Sequence, residues 1–286
     1  MSGGAVMDAA GPASGGRGAP EFLVTKEYRR FAEFCAACRR DRYIGLCYGA
    51  PGVGKTLSAR RYARWEEVGP AVEPHLRTRP WPRRPDLATC HSVVYTPGVA
   101  ATPREIEQAL RGLCAGLDYL VDCARHAAAH GDDGTYPLPA GTATDLILVD
   151  EADRLKPQGL EQVRDVYDRG GVGVVLIGMP GLERRLARYP QLYSRVGFVH
   201  HFRALGAEEL RFLLAHKWRQ LGLTLAPDDF TDAEAVAAIA RITGGNFRLV
   251  QRLWSQIERL LHINGLRTVT KEVVEAAREQ LIIGVP

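Results

Sequence analysis

"GAPGVGKT", residues 49–56, is the stretch on which the fold turns. It meets the pattern G-x-x-x-x-G-K-[S/T] at every fixed position, directly after the apolar run "YIGLCYG" (43–49) and before a helical pattern. The chemistry of a polyphosphate explains the residue types. Glycines let successive backbone N–H groups turn inward around phosphate oxygens, and the helix N-terminus adds partial positive charge. Lys55 reaches the β- and γ-phosphates, and the Thr56 hydroxyl holds Mg2+. Gly49, Pro51, Gly52, Val53, Gly54, Lys55, Thr56 and Leu57 are therefore expected to cradle a nucleotide, ATP. A chance glycine-rich turn would not also supply the lysine, the hydroxyl and both flanking elements.

Working outward, "HSVVYTP" (91–97), "DLILVDEA" (145–152), "VGVVLIGM" (172–179) and "GFVHHF" (197–202) are further β-rich runs, and helical patterns separate them. Near-continuous apolar strands alternating with helices predict a parallel sheet covered on both faces, an α/β core over residues 21–204. After Leu205 the strands stop and four helical segments follow. One of them aligns Val250, Leu253, Trp254, Ile257, Leu260 and Leu261 on one stripe. Residues 205–286 read as a small all-helical lid. Residues 1–20, rich in Gly, Ala, Ser and Pro without period, read as a disordered tail.

Within "LILVDEAD" (146–153), four apolar residues run into acids where a buried strand reaches the edge of its sheet. Asp150 is expected to hold Mg2+ through its water shell, and Glu151 to polarise the attacking water of a hydrolysis. An ordinary strand end followed by a capping acid is the simpler alternative. Its spacing after the phosphate loop favours ATP hydrolysis.

Composition narrows the class. The chain has 286 residues, 46% hydrophobic and 24% charged, ordinary for a globular protein. No apolar run reaches the roughly 18 residues of a membrane span and no leader-like segment opens the chain, so a cytoplasmic protein without a membrane partner is expected. Six scattered cysteines read as reduced, buried hydrophobes. A net charge of +4 does not by itself mark a nucleic-acid binder. "CAAC" (35–38) and "CARHAAAH" (123–130) have spacings that suit zinc, but neither supplies four local ligands.

The phosphate loop, the Asp-Glu strand end, the strand after it and the helical lid together resemble the AAA+ ATPases, over nearly everything after residue 20. The resemblance implies further roles. In "TGGNFRLVQRL" (243–253) it makes Arg248 the lid arginine that reaches back to the phosphates. In "QLYSRVGF" (191–198) it makes Arg195 a finger inserted in trans into a neighbour's ATP site, which implies a homo-oligomer, ring or helical filament. Arg184, Arg185 and Arg188 read instead as a solvated or subunit-facing helix surface. The first-sensor place, usually polar, is occupied by Met179, which offers no side-chain hydrogen-bond donor, and both asparagines of the chain, Asn246 and Asn264, lie in the lid. Slow basal hydrolysis is expected.

"DEADRLKP" (150–157), the "VVLIG" strand and "GGNFR" (244–248) are similar to the DNA transposition regulators of the MuB and TnsC type. That resemblance implies polymerisation on double-stranded DNA and delivery of the target to a transposase, with a target-selection adaptor as a further partner. Secretion-associated ATPases of the ExeA type share the lid and sensor strand and form the alternative. The MuB-type N-terminal helix-turn-helix is not expected, for want of room in the tail.

For DNA contact the residues offer "VVYTPGVAATPREIEQALRGL" (93–113), where Thr102 and Glu105 form a capping box with Pro103 at the first helical position. Arg104 beside those backbone N–H groups suits a phosphate contact without sequence preference, and equally a solvent-facing first-turn arginine. "HLRTRPWPRRPD" (75–86), with Arg77, Arg79, Arg83 and Arg84, suits DNA, a protein partner, or a plain surface loop.

Overall fold

Five strands make one wholly parallel sheet: β1 (Ile44–Tyr48), β2 (Ser92–Tyr95), β3 (Leu146–Val149), β4 (Gly173–Gly178) and β5 (Val196–His201), in the order β2-β3-β4-β1-β5. The computed structural model describes residues 22–73, 81–131, 135–139, 141–226 and 228–281. The tail expected over residues 1–20 lies outside them.

Successive side chains of a strand face opposite sides of the sheet. β2, β3 and β4 are buried at every position, so both faces of the sheet are covered there. β5, at the edge opposite β2, instead alternates half-buried and exposed residues. Its "GFVHHF" therefore reads as less apolar than the strands inside.

Among the described residues, seven α-helices accompany the sheet. They are α1 (Lys26–Asp41), α2 (Lys55–Tyr62), α3 (Trp65–Val72), α4 (Pro103–His130), α5 (Pro157–Gly170), α6 (Leu182–Leu186) and α7 (Pro190–Tyr193). α1 starts where the Thr25 hydroxyl accepts the Tyr28 N–H, and it turns Phe31, Phe34, Cys35 and Cys38 inward at three- and four-residue spacing. α4 starts at the Thr102–Glu105 capping box with Pro103 in its first turn. Each cap satisfies N–H groups that the first helical turn leaves without partners.

Four more helices follow: α8 (Ala207–Gln220), α9 (Phe230–Thr243), α10 (Phe247–Asn264) and α11 (Lys271–Glu279). They bury their own cluster, running from Leu205 to Ala277 and centred on Trp218 and Trp254, whose rings lie 4.8 Å apart. The core cluster ends at Phe202. Short bonds join the two layers. The Glu27 N–H of α1 donates to Glu209 of α8, and the buried Glu27 carboxylate accepts the Arg203 N–H from the connecting strand of chain. Leu205 donates to the Gly245 carbonyl, and a Cβ on Gly245 would lie 2.2 Å from the Leu205 oxygen. Only glycine permits that approach, and its φ of 74° is likewise favoured in glycine. Among the described residues no helix is long and apolar enough to cross a membrane.

Candidate nucleotide site

The ends of β1, β3 and β4 come level, since Tyr48 pairs with Gly178 and Val149 with Leu176. Loops leaving the carboxyl ends of neighbouring parallel strands enclose a crevice, the usual ligand position in such sheets. Here it is a cleft of about 360 Å3 lined by the 51–57 loop, Asp150, Glu151, Asp153, Arg154, Met179 and Arg248.

The loop of residues 49–54 is bound to both of its neighbours. Gly49 donates its N–H to the Gly178 carbonyl, and Gly54, at φ 112°, opens α2. The Lys55 ammonium donates to the carbonyls of Gly49 (2.6 Å) and Ala50 (2.9 Å), so it is held over the loop's concave side. Desolvation lowers its pKa and Arg248 adds to that, while Asp150 and Asp153 oppose it.

Asp150 is 4% exposed, and burial raises its pKa against a hydrogen bond from the Thr56 hydroxyl. A desolvated carboxylate beside a hydroxyl fits a divalent cation, because both supply hard oxygen ligands and the cation's charge offsets the burial. Glu151 follows at φ 52°, a left-handed position unusual for a glutamate. Its carboxylate, about half exposed, is ion-paired with Arg154. Arg154 in turn donates to the Pro97 carbonyl (3.2 Å) in the loop after β2.

Two residues fix the turn after Glu151. The Asp153 carboxylate accepts the Met179 N–H at 2.7 Å, and Arg185 donates to the backbone oxygens of Asp153 (2.8 Å) and Leu155. Arg185 is therefore an intramolecular clamp, unlike the solvated surface expected for it. The reason is that the one-turn helix α6 begins at Gly181 and aims its second arginine back across β4. Arg184 is solvent-facing as expected.

The C-terminal helices close the site, with α10 seated on the loop. Asn246 caps α10 by accepting the Leu249 N–H, and its amide nitrogen donates to the Pro51 carbonyl (2.8 Å). The Arg248 N–H donates to the Gly52 carbonyl (2.9 Å). A Cβ on Gly52 would lie 2.6 Å from Asn246 Oδ1 and 2.9 Å from the Arg248 Cβ. The "GGN" run thus ends α9, reaches the inter-layer segment and seats α10 on the phosphate loop.

Beside the cleft lies a smaller apolar cavity of about 120 Å3, between Phe22 and Tyr28, Val53 and Leu57, and His216 and Phe247 of the lid. It shares Gly54, Leu57, Phe247 and Gln251 with the cleft. An apolar recess joined to a phosphate-sized polar one suits a nucleoside base. Its walls come from four distant stretches, so no local motif announces them. Asn246, Asp153, Arg154 and Arg185 were also missed as site residues; "DEADR" shows the acid and arginine but not their partners.

The remaining candidates lie elsewhere. Neither Arg195 nor Arg104 lines the cleft. Arg195 precedes β5 and is ion-paired at 2.5 Å with Asp168 of α5. Arg104 is exposed in the first turn of α4. Arg77 and Arg79 lie outside the described residues. Arg83 stacks over Tyr136 at 4.4 Å, and Arg84 pairs with Glu67 and Asp86. The zinc-spaced residues do not converge: Cys35, Cys38 and Cys123 are buried, while His126 and His130 are less enclosed and stack on each other.

A family model described as an AAA domain matches residues 38–186. A "Potential ATP-binding protein" of Staphylococcus aureus is 43% identical over 92% of this chain and 97% of its own length. The "Mu-like prophage FluMu DNA transposition protein B" of Haemophilus influenzae is 24% identical over 83% of this chain and 72% of its own. Among solved structures, the Thermotoga maritima RuvB Holliday junction branch migration motor superposes with a TM-score of 0.55 at 16% identity, over 90% of this chain and 69% of that one. The Aeropyrum pernix ORC1 protein in complex with DNA gives 0.55 at 19%, over 89% and 64%. At these identities the two structures speak to the fold.

Proposed function

The chain belongs to the AAA domain family, and from that premise we propose that it is an ATP-hydrolysing regulator of DNA transposition that assembles on duplex DNA. The observation that carries the ATPase part is the single cleft in which Lys55, Thr56, Asp150 and Glu151 meet the amino end of α10. Support for the DNA part comes from the likeness to the Haemophilus transposition protein.

The chemistry follows from the residues. Backbone N–H groups of residues 52–56 and the Lys55 ammonium bind the β- and γ-phosphates, and Thr56 and Asp150 would hold Mg2+. A Mg2+ ion held there would neutralise negative charge on the phosphate oxygens. Glu151 orients water and takes up its proton as the oxygen attacks the γ-phosphorus. The bond to the β,γ-bridging oxygen breaks, leaving ADP and phosphate. Arg248, on the helix seated on the loop, responds to the phosphates from the lid. Arg195 acts on the neighbour's γ-phosphate in a homo-oligomer, ring or helical filament, once it exchanges Asp168 for that anion. Residues 21–204 and 205–286 then work as core and lid, Arg104 touches duplex phosphates, and a transposase and a target-selection adaptor are the protein partners.

The test pairs ATP turnover with duplex affinity. Turnover that rises on adding duplex, together with duplex affinity that rises on adding ATP, is the expected result. Turnover indifferent to duplex and no duplex affinity in any nucleotide state would reject the DNA part and leave the ATPase.

A further inference from the structure

The exposed face of α10 is free of acids. Arg248, Arg252, Ser255, Arg259 and His262 are all exposed, while Val250, Leu253, Trp254, Ile257 and Leu261 are buried on the other side. At 100° per residue the exposed set falls on one stripe, diametrically opposite the buried set. Glu258, the one acid of the helix, turns aside to accept the Trp254 indole N–H at 2.5 Å. Among the described residues, none of Arg248, Arg252 and Arg259 forms an ion pair with an acid.

Other helices of the chain treat many of their arginines differently. Arg30 pairs with Glu27, Arg111 with Glu107, Arg164 with Glu161 and Asp168, Arg169 with Asp165, and Arg278 with Glu275, all at three- or four-residue spacing. Such pairs stabilise a helix, and like charges at i, i+4, as at Arg248 and Arg252, oppose it. Guanidinium groups do not shed their charge to relieve this. A row of uncompensated arginines is thus held in place by the packing of Trp254 and Leu253 beneath it.

We propose that this arginine face of α10 is a docking surface for the phosphate backbone of duplex DNA. The proposal rests on the DNA reading above and names a surface for it distinct from Arg104. With Arg248 committed to the cleft it lines, the stripe from Arg252 to Arg259 rises ~10 Å, the length over which one strand of a duplex advances about three phosphates. Arginine in a row with serine and histidine, bordered at the end of the helix by the exposed Ile263, suits anionic oxygen and carries no base preference. The same helix is bonded through Asn246 and the Arg248 N–H to Pro51 and Gly52 of the phosphate loop. DNA along the stripe and ATP in the cleft therefore bias the same helix, and the coupling between them is reciprocal.

The experiment measures binding of a fluorescent, random-sequence duplex to the full chain with ATP over a potassium chloride series, for wild type, Arg252→Ala/Arg259→Ala and Arg252→Lys/Arg259→Lys. Both alanines lie on a solvent face and favour helix, so the fold is kept. The expected result is at least tenfold weaker binding by the alanine variant, with a log–log salt slope shallower by about two. The lysine variant keeps the wild-type slope, and ATP turnover without DNA is unchanged in both. Wild-type affinity and slope in the alanine variant would overturn the stripe while leaving the DNA reading intact. Weaker binding at an unchanged slope, with loss of DNA-free assembly, would make the stripe a subunit contact and overturn it too. A wild type that binds no duplex at low salt would reject the DNA reading itself, and the stripe with it.

Discussion

Glu151, the proposed base, is ion-paired with Arg154 in the cleft. A carboxylate paired with a guanidinium has fewer lone pairs to offer water. Arg154→Ala is accordingly expected to raise basal ATP turnover severalfold without changing ATP affinity, as phosphate-release and nucleotide-titration assays would show; a fall in turnover would mean that the arginine serves the reaction directly. Glu151→Gln should keep ATP binding and lose turnover by on the order of 100-fold or more, whereas Lys55→Ala should lose binding. Equal loss of binding in both variants would reject that division. Met179 stands at the cleft with its backbone N–H given to Asp153 and its carbonyl accepting the Leu182 N–H. Met179→Asn adds a side-chain donor at the end of β4, and an unchanged rate in that variant would remove the sensor position from the account. Lys55 and Asp150 were legible in the sequence because a phosphate loop imposes local spacing. Arg154 was not, since its partners, Glu151 and Pro97, are set by how β3 meets the loop after β2.

At the scale of elements, α10 is the piece on which the cleft depends. Asn246 does two things with one side chain, capping the helix and holding Pro51. Its replacement by alanine should cost about 1 kcal/mol of stability through the lost cap, read as a lower Tm. ATP affinity should fall as well, because the helix no longer seats on the loop. Asn246→Asp separates the two effects: the cap survives, the donor to Pro51 is gone, and ATP affinity alone should drop. Wild-type ATP affinity in the aspartate variant would show that the Asn246–Pro51 bond is incidental to binding. The period-2 and 3.6 patterns announced the strands and helices, and apolar burial made them so. The seating of α10 on residues 51–52 joins segments nearly two hundred residues apart, and no periodicity encodes that.

For the molecule as a whole, an arginine acting in trans requires neighbouring copies of the chain. Arg195 is held by Asp168 within the chain, and the proposed trans role requires it to exchange that partner for a neighbour's phosphate. Arg195→Ala should leave monomer ATP affinity unchanged and lose on the order of 1,000-fold of the assembled rate, as removal of a trans arginine does. Asp168→Asn releases the arginine and should promote ATP-dependent assembly; if light scattering shows neither change, Arg195 is a structural ion pair only. Its place before β5 could be read from the sequence, but the Asp168 partner arises from α5 packing beside that turn. The measurement that bears most directly on the central claim is negative-stain imaging of the full chain with duplex DNA and ATP, ADP or no nucleotide. Continuous protein assemblies along the duplex with ATP, absent with ADP and without nucleotide, are the predicted result, and bare duplex in all three conditions would contradict it.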